Sequence, residues 1–325
     1  MVAALVLFGS CRTPESPDVE VPVPSPVPGD SSAILLEDLS SLMLQAPGNW
    51  WARDLRDAPV DAASDALVGF IGGRRLHPDF GPPPFGIPYV TVSASAPLVP
   101  VSFVLFGDES DLGARGALGY PIPEDAKTRP NYLEGAVPGG GTDGDRHLLI
   151  LDRERLILFE TWATRFDVGS DRWEAGSGAV FELATNQRRP EGWTSADAAG
   201  LAILPGLVRY DEVMGSGEIE HAFRVTVRAT NGHVWPASHT AGATGGALPM
   251  GARLRLKPGK DISGFSEPMQ RIFRAMKVYG LIVADNGSDM FVTGTMDPRW
   301  NNDELNPAFA ALTSDDFEVI ALGWR

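Results

Sequence analysis

The chain has one cysteine, Cys11, in 325 residues, so no disulfide can form within it and stability must come from a packed core. No apolar run is long enough to cross a bilayer as a helix. Basic charge is scarce: 27 Lys and Arg stand against 42 Asp and Glu, a formal net charge of -15. That balance excludes a non-specific nucleic-acid binder, which needs a positive footprint to meet phosphates. The five histidines include no pair at i, i+2 or i, i+4 spacing. A P-loop, a dinucleotide fingerprint and H-E-x-x-H are all missing, and Gly176-Ser177-Gly178 lacks the outer glycines of a nucleophile elbow. Nucleotide chemistry, zincin proteolysis and acyl transfer by a triad therefore have no support in the sequence.

What is present starts with 43% apolar residues, enough for a core in one large domain or two small ones. Val2–Phe8 is a short apolar run followed by Gly9-Ser10-Cys11. Small residues before a cysteine at the end of such a run predict a lipoprotein-type signal over residues 1–11, with Cys11 lipidated. The run is short, no Lys or Arg precedes it and Phe8 matches imperfectly, as in a signal truncated at its start. The alternative is an unstructured N-terminus with an accidental cysteine. Residues 12–33, beginning RTPESPDVEVPVPSPVPGDSS, are Pro-rich and acidic, and such a segment reads as an extended tether. The expectation is an extracytoplasmic protein that meets the membrane only through its N-terminal lipid anchor.

From residue 34 to 325 no fixed repeat or clean boundary interrupts the chain, and a single β-rich domain is the simplest reading. Ile34–Leu44 and Asp61–Ile71 read as short helices, and Glu267–Tyr279 as a well-formed late one with Met269, Ile272, Phe273 and Met276 on one face. His77–Pro88 and Asp108–Gly144 are rich in Pro and Gly and read as irregular. Strand signals cover Tyr89–Ser93, Val99–Phe106, His147–Leu151, Leu156–Trp162, Gly178–Leu183, Ile219–Arg228, Gly251–Lys257, Leu281–Ala284, Met290–Thr295 and Phe317–Leu322. Many short strands with long Gly/Pro-rich loops and a few short helices predict an all-β fold, a β-sandwich or jelly-roll-like body.

The densest cluster of polar and aromatic residues is GWTSADAAGLAILPGLVRYDEVMGSGEIEHAFR, residues 192–224. It holds Trp193, Ser195, Asp197, Arg209, Asp211, Glu212, Glu218, His221 and Arg224 around an apolar run, the pattern of a cleft lining or of a loop tied to a core. Glu160 shares a strand face with Leu156, Leu158 and Trp162, where a carboxylate resists ionisation and can act as a general acid; its competitor is a strand-end Glu paired with an arginine. Asp197 is either a turn-capping residue or the second member of a carboxylate pair of the glycosidase kind. His147 leaves a glycine loop to enter a strand. His221, on an apolar face, is either a hydrogen-bonded core residue or an assistant in catalysis. Trp193, Trp235 and His239 lie in polar loops where rings can stack on sugars. Arg224 and Arg228, with Arg253, Arg255 and Lys257, form alternating basic stripes; placed side by side they make one basic sheet face able to hold carboxylates or sulfates. The competing reading of that face is a solvated surface of ion pairs.

The segments GDRHLLILD (144–152), GWTSADAAGLAILPGLVRYDEV (192–213), HAFRVTV (221–227), WPASH (235–239), PMGARLRLK (249–257) and YGLIVADNGS (279–288) together resemble a pattern of uncharacterised secreted proteins of bacteria and some fungi. It spans most of residues 75–320. The resemblance implies secretion and a shared β-rich body; it implies no particular activity.

Three functions are consistent with these residues. The first is a carbohydrate-active protein that cleaves a polysaccharide, with Glu160 and Asp197 as carboxylates, His147 or His221 assisting, and Trp193, Arg224, Trp235 and His239 holding substrate. The second is a non-catalytic module that binds a glycan or cell-wall polymer. The third is a metal-dependent protein built on His147, His221 and His239. No cofactor is identified by any motif.

Overall fold

The computed structural model describes residues 33–325; the expected lipid anchor at Cys11 and nearly all of the tether lie outside the described residues. The strands are β1 (Ile34–Leu35), β2 (His77–Asp79), β3 (Tyr89–Val92), β4 (Val101–Phe103), β5 (Leu148–Asp152), β6 (Ile157–Trp162) and β7 (Arg165–Asp167). They continue with β8 (Arg172–Ala175), β9 (Ser177–Glu182), β10 (Phe223–Val227), β11 (Arg253–Leu256), β12 (Leu281–Asn286), β13 (Phe291–Thr293) and β14 (Phe317–Val319). Four α-helices accompany them: α1 (Ser64–Ile71), α2 (Tyr210–Val213), α3 (Glu267–Val278) and α4 (Asn302–Ala310). With 24% strand and 17% helix, the protein is β-rich, as its strand signals predict.

The strands form three sheets, none of them a closed barrel: β1-β3-β5-β6-β9, β14-β11-β12-β10-β13-β2, and β4-β8-β7. Each sheet is mixed. The β3–β5, β10–β12, β13–β2 and β4–β8 pairs are parallel and the others antiparallel. A purely antiparallel sandwich has no such pairs, so the sequence-based class is right at the level of β content and too simple in its topology. The expected hairpin around Asp152–Arg155 forms, with Leu149 opposite Glu160 and Ile150 opposite Phe159.

The first sheet is buried on both faces. Leu149, Leu151 and Leu158 enter one apolar cluster with Ile203, Leu204 and Leu207, while Leu148, Ile150, Ile157 and Phe159 enter another with Tyr120 and Trp173. Two-sided burial explains why β5 reads as a continuous apolar run, LLILD, without alternation. The second sheet carries the largest cluster, in which Phe223, Val225, Leu281 and Val283 pack with Met269, Ile272, Phe273 and Met276 of α3. Those four α3 residues are the face that helical spacing selects.

Other expectations change. Ile34–Leu44 is no helix: only Ile34–Leu35 is regular, paired with β3, and the Asp38 carboxylate accepts the Ser40 N–H at 2.9 Å in a local turn that competes with helical bonding. His77–Asp79, in a Pro/Gly-rich stretch, forms β2 at a sheet edge, where proline is tolerated. The basic sheet face does not form. β10 and β11 are separated by β12, and Arg253 and Arg255 are buried, with Arg253 donating to the Trp50 carbonyl and Arg255 to Glu318 at 2.9 Å. Arg228 is paired with Asp289, and Lys257 donates to the Asp315 carbonyl.

Residues 194–208 have no strand and only a short 3-10 turn at Leu204–Gly206, yet they run between the first two sheets and bond to both. Towards the first sheet, Ser177 Oγ donates to the Ser195 carbonyl at 2.7 Å. Towards the second, Ala199 N–H donates to Ala284 O at 2.9 Å and Val208 N–H to Thr293 O at 3.1 Å. The segment straps the two sheets together, and that strap decides where the sequence-selected residues lie.

Candidate functional site

Glu160 sits in mid-β6 and is fully buried. Both carboxylate oxygens accept the Ile203 N–H at 2.9 Å, and one also accepts the Leu204 N–H at 2.9 Å. Burial pushes its proton affinity up to about 7, against the opposing pull of the Leu204 and Ile203 amides. Asp197 is equally enclosed and forms an ion pair with Arg224, whose second amino group donates to Thr293 Oγ1 at 2.9 Å. Arg224 is held above its ordinary value: burial opposes its charge, but the Asp197, Asp285 and Glu160 carboxylates prevail. One Asp197 oxygen, Oδ2, is buried without a hydrogen-bond partner. His147 places Nδ1 2.7 Å from Glu134 Oε2 and Nε2 3.0 Å from the Ala196 carbonyl. A carbonyl only accepts, so Nε2 carries a proton. Burial works against a charge on this ring, but Glu134 outweighs it and lifts His147 to about 9.

These four residues thus form a buried ionic knot that holds the strap. None lines a described cleft. Catalytic or substrate-holding roles for Glu160, Asp197, His147 and Arg224 require contact with substrate, which enclosed groups already bonded to backbone and to one another do not make. Trp193, half-buried, lies 5.4 Å under the Arg189 guanidinium, and Trp235 packs edge-on to Trp50 with ring centres 6.4 Å apart. His239 Nδ1 bonds to the Ala198 carbonyl at 2.8 Å. The imidazoles of the metal reading do not converge, and no group of three or more His, Cys, Asp or Glu among the described residues is arranged to hold an ion.

His221 alone among the selected catalytic residues borders a cleft. This cleft has a volume of about 820 Å³ and lies between residues 38–52 and 209–221, with Tyr279 and Arg299 completing it. Its floor is α2, a single turn that begins where Glu212 reaches back to accept the Arg209 N–H at 3.1 Å. Glu212 also accepts from Arg209 Nη2 at 2.6 Å, and His221 Nε2 stands 3.0 Å from both of its oxygens. His221 Nδ1 faces the Ala222 carbonyl at 2.9 Å. Beside Glu212, Asp211 accepts the Leu39 N–H at 2.6 Å across 172 residues of sequence, which closes the 38–52 segment over α2. Asp38, at the rim, is held below the usual carboxylate range by Ser40, with Arg299 and Asp211 adding to the effect.

The two neighbouring carboxyls diverge. Burial raises Asp211, and the Arg209 charge only partly offsets it. Burial would raise Glu212 as well, but Arg209 and His221 overcome it and lower the group. The aromatic wall is Tyr210, which meets Trp300 edge-on at 4.9 Å and lies 4.1 Å from the Arg299 guanidinium carbon. Asp38, Asp211, Glu212, Glu218 and Glu220 line the cleft together with Arg209 and Arg299, so acidic residues outnumber basic ones in the lining. It suits neutral or cationic molecules and opposes anionic ones.

Arg209, Asp211, Glu212 and His221 all lie in the 192–224 cluster, whereas Asp38, Tyr279 and Arg299 come from distant segments that no local pattern links to it. The local signal is the run Arg209-Tyr210-Asp211-Glu212, a cation and two carboxylates around a tyrosine. No family model, curated protein or solved structure matches this chain.

Proposed function

We propose that the 820 Å³ cleft binds a neutral glycan and that the protein is an extracytoplasmic carbohydrate-binding module. The observation that carries this reading is the lining itself: fixed hydrogen-bonding groups held by ion pairs, next to a tyrosine ring with a guanidinium on it. Sugars are recognised by this pairing of aromatic surface with rigid polar groups. The negative excess turns the reading away from acidic polysaccharides. The sequence pattern around Cys11 and the Pro-rich segment after it support an extracytoplasmic place, with a lipid as the membrane contact. No helix among the described residues is long and apolar enough to cross a membrane. The finer description of the body as a sandwich or jelly roll belongs with this proposal, supported by the packing of Ile150 and Phe159 of the first sheet with Trp173 of the third.

A second reading is favoured by one observation, the opposed proton affinities of Asp211 and Glu212. A carboxyl whose proton affinity is raised by burial beside one whose affinity is lowered by Arg209 and His221 is an arrangement suited to acid–base cleavage. In that case Asp211 is the proton donor and Glu212 the ionised partner, in place of Glu160 and Asp197.

The test is to incubate the protein with neutral, acidic and basic polysaccharides and to follow retention on the polymers and new reducing ends together. Retention on neutral polymers without new ends supports the binding module. New ends that vanish in Asp211→Asn support cleavage. Neither retention nor new ends on any polymer overturns the glycan reading.

A further inference from the structure

A second cavity, of about 680 Å³, adjoins the cleft. Glu218, Glu220 and Tyr279 line both, so the two spaces meet at these three side chains. The floor of the second cavity is apolar, made by Ile219, Ala275 and Val278. Its rim charges are engaged elsewhere. Arg274 donates to both oxygens of Glu218 at 2.9 Å, Lys277 Nζ caps the Pro258 carbonyl at 3.0 Å, and Arg56 pairs with Asp54 at 2.6 Å. Glu220, exposed at the junction, has no ion-pair partner among the described residues.

We infer that the two cavities are one groove and that its ligand is a linear, neutral oligosaccharide long enough to fill both and to cross Tyr279 at the junction. The inference rests on the glycan reading of the cleft and extends it to chain length. An apolar floor with internally compensated rim charges fits the C–H face of a pyranose, and an unengaged carboxylate at its edge accepts hydroxyl hydrogens. An anionic chain would meet uncompensated Glu220. An extended peptide takes main-chain bonds from a sheet edge, whereas these walls are α3 side chains and the 218–220 segment. A single sugar fills one cavity and leaves the other to water.

The experiment is a calorimetric length series of glucose, mannose and N-acetylglucosamine homo-oligomers, monomer to hexamer, with the wild-type protein and with Val278→Trp. Val278 lines only the second cavity, and the indole is placed to fill it. The wild type is expected to bind the hexamer of one series at least about tenfold more tightly than its dimer, a gain worth 1.4 kcal/mol. In Val278→Trp the hexamer-to-dimer ratio is expected to collapse to about one. Equal affinity from monomer to hexamer in the wild type overturns the two-cavity groove and leaves the glycan cleft standing. An undiminished ratio in a folded Val278→Trp also overturns the groove. Absence of binding at every length overturns the groove and the glycan reading together. The wild-type series decides the matter even where the variant does not fold.

Discussion

The Ile203 N–H is shared between both carboxylate oxygens of Glu160 at 2.9 Å, across 43 residues of sequence. The acceptor belongs to β6 in the first sheet and the donor to the strap. A side chain here replaces the ladder bond that a strand would have supplied. This satisfies a buried backbone donor that would otherwise carry a desolvation cost.

Glu160→Gln should therefore act on folding. The amide oxygen can keep the Ile203 and Leu204 bonds that Oε1 accepts, but the NH2 group then stands in place of Oε2 against the Ile203 N–H, donor against donor, and is buried without an acceptor. The expected loss is about 1–3 kcal/mol, read as a lower urea midpoint with an unchanged slope. Polysaccharide retention by the folded fraction should match the wild type. A midpoint equal to the wild type's would count against this assignment.

Arg224→Met should cost more. It removes the only cation paired with Asp197 among the described residues and leaves an enclosed carboxylate with one oxygen already lacking a partner. Breaking one side of a buried pair typically costs about 3–5 kcal/mol. Replacing both members with apolar residues, Arg224→Met with Asp197→Leu, should recover part of that loss in chemical denaturation. A double variant no better than the single one would mean that packing, not charge, dominates at this point.

The buried groups set a pH dependence whose direction can be worked out. Glu160 rises from 4.5 to about 7 and Asp285 from 3.8 to about 6, both through burial. The folded state thus holds protons that the unfolded state releases. Their contribution is complete below about pH 4 and is lost as pH climbs through 6 and 7. His147, lifted from 6.5 to about 9 by Glu134, has the same sign, complete below its unfolded value and lost towards pH 9. Thermal midpoints should therefore fall between pH 5 and 9. Glu160→Gln should flatten the lower part of that decline and His147→Gln the upper part. A midpoint that rises over this range would contradict the assignments.

In the cleft, Arg299→Ala and Tyr210→Ala should each remove a contact of roughly 1–2 kcal/mol and weaken retention on a neutral polymer by about five- to thirtyfold. Arg299 is exposed, with its side chain 57% accessible, and paired with Asp297. Its partner Asp297 is buried, with its side chain 5% accessible, so the removal also strands a carboxylate and should lower the unfolding midpoint, and retention is compared on the folded fraction. Unaltered retention in both variants would place the glycan elsewhere on the surface.

Much of the fold was legible, and the limits have physical causes. Strands such as Ile157–Trp162 and Phe317–Val319 declare themselves by β-branched and aromatic runs, and α3 by its apolar spacing. Parallel pairing leaves no mark in local sequence, so the β10–β12 and β3–β5 partnerships were hidden. Alternation puts Glu160 on an apolar face, but a pattern of residues does not reveal whether that face opens to a cleft or closes on a core. Here Ile203 and Leu204 close it. The 192–224 cluster is both things at once: residues 194–208 are the tied strap, held by Arg224 through Asp197, and the stretch from Arg209 to His221 borders the cleft. The charges of Arg253 and Arg255 looked like an outer face because alternation shows which residues share a side, not which side faces water.

The strap between the sheets has a consequence for how the chain tolerates change. Connections without regular structure are usually where insertions, permuted termini and grafted modules are accepted. Residues 194–208 are irregular yet bonded on both sides, by Glu160 and Ser177 to one sheet and by Ala284 and Thr293 to the other. One added residue would slide every one of these partners out of register. The part of the sequence that looks most like a loop is thus among the least editable, and new termini or fused modules belong elsewhere, in exposed turns such as Val168–Asp171 between β7 and β8.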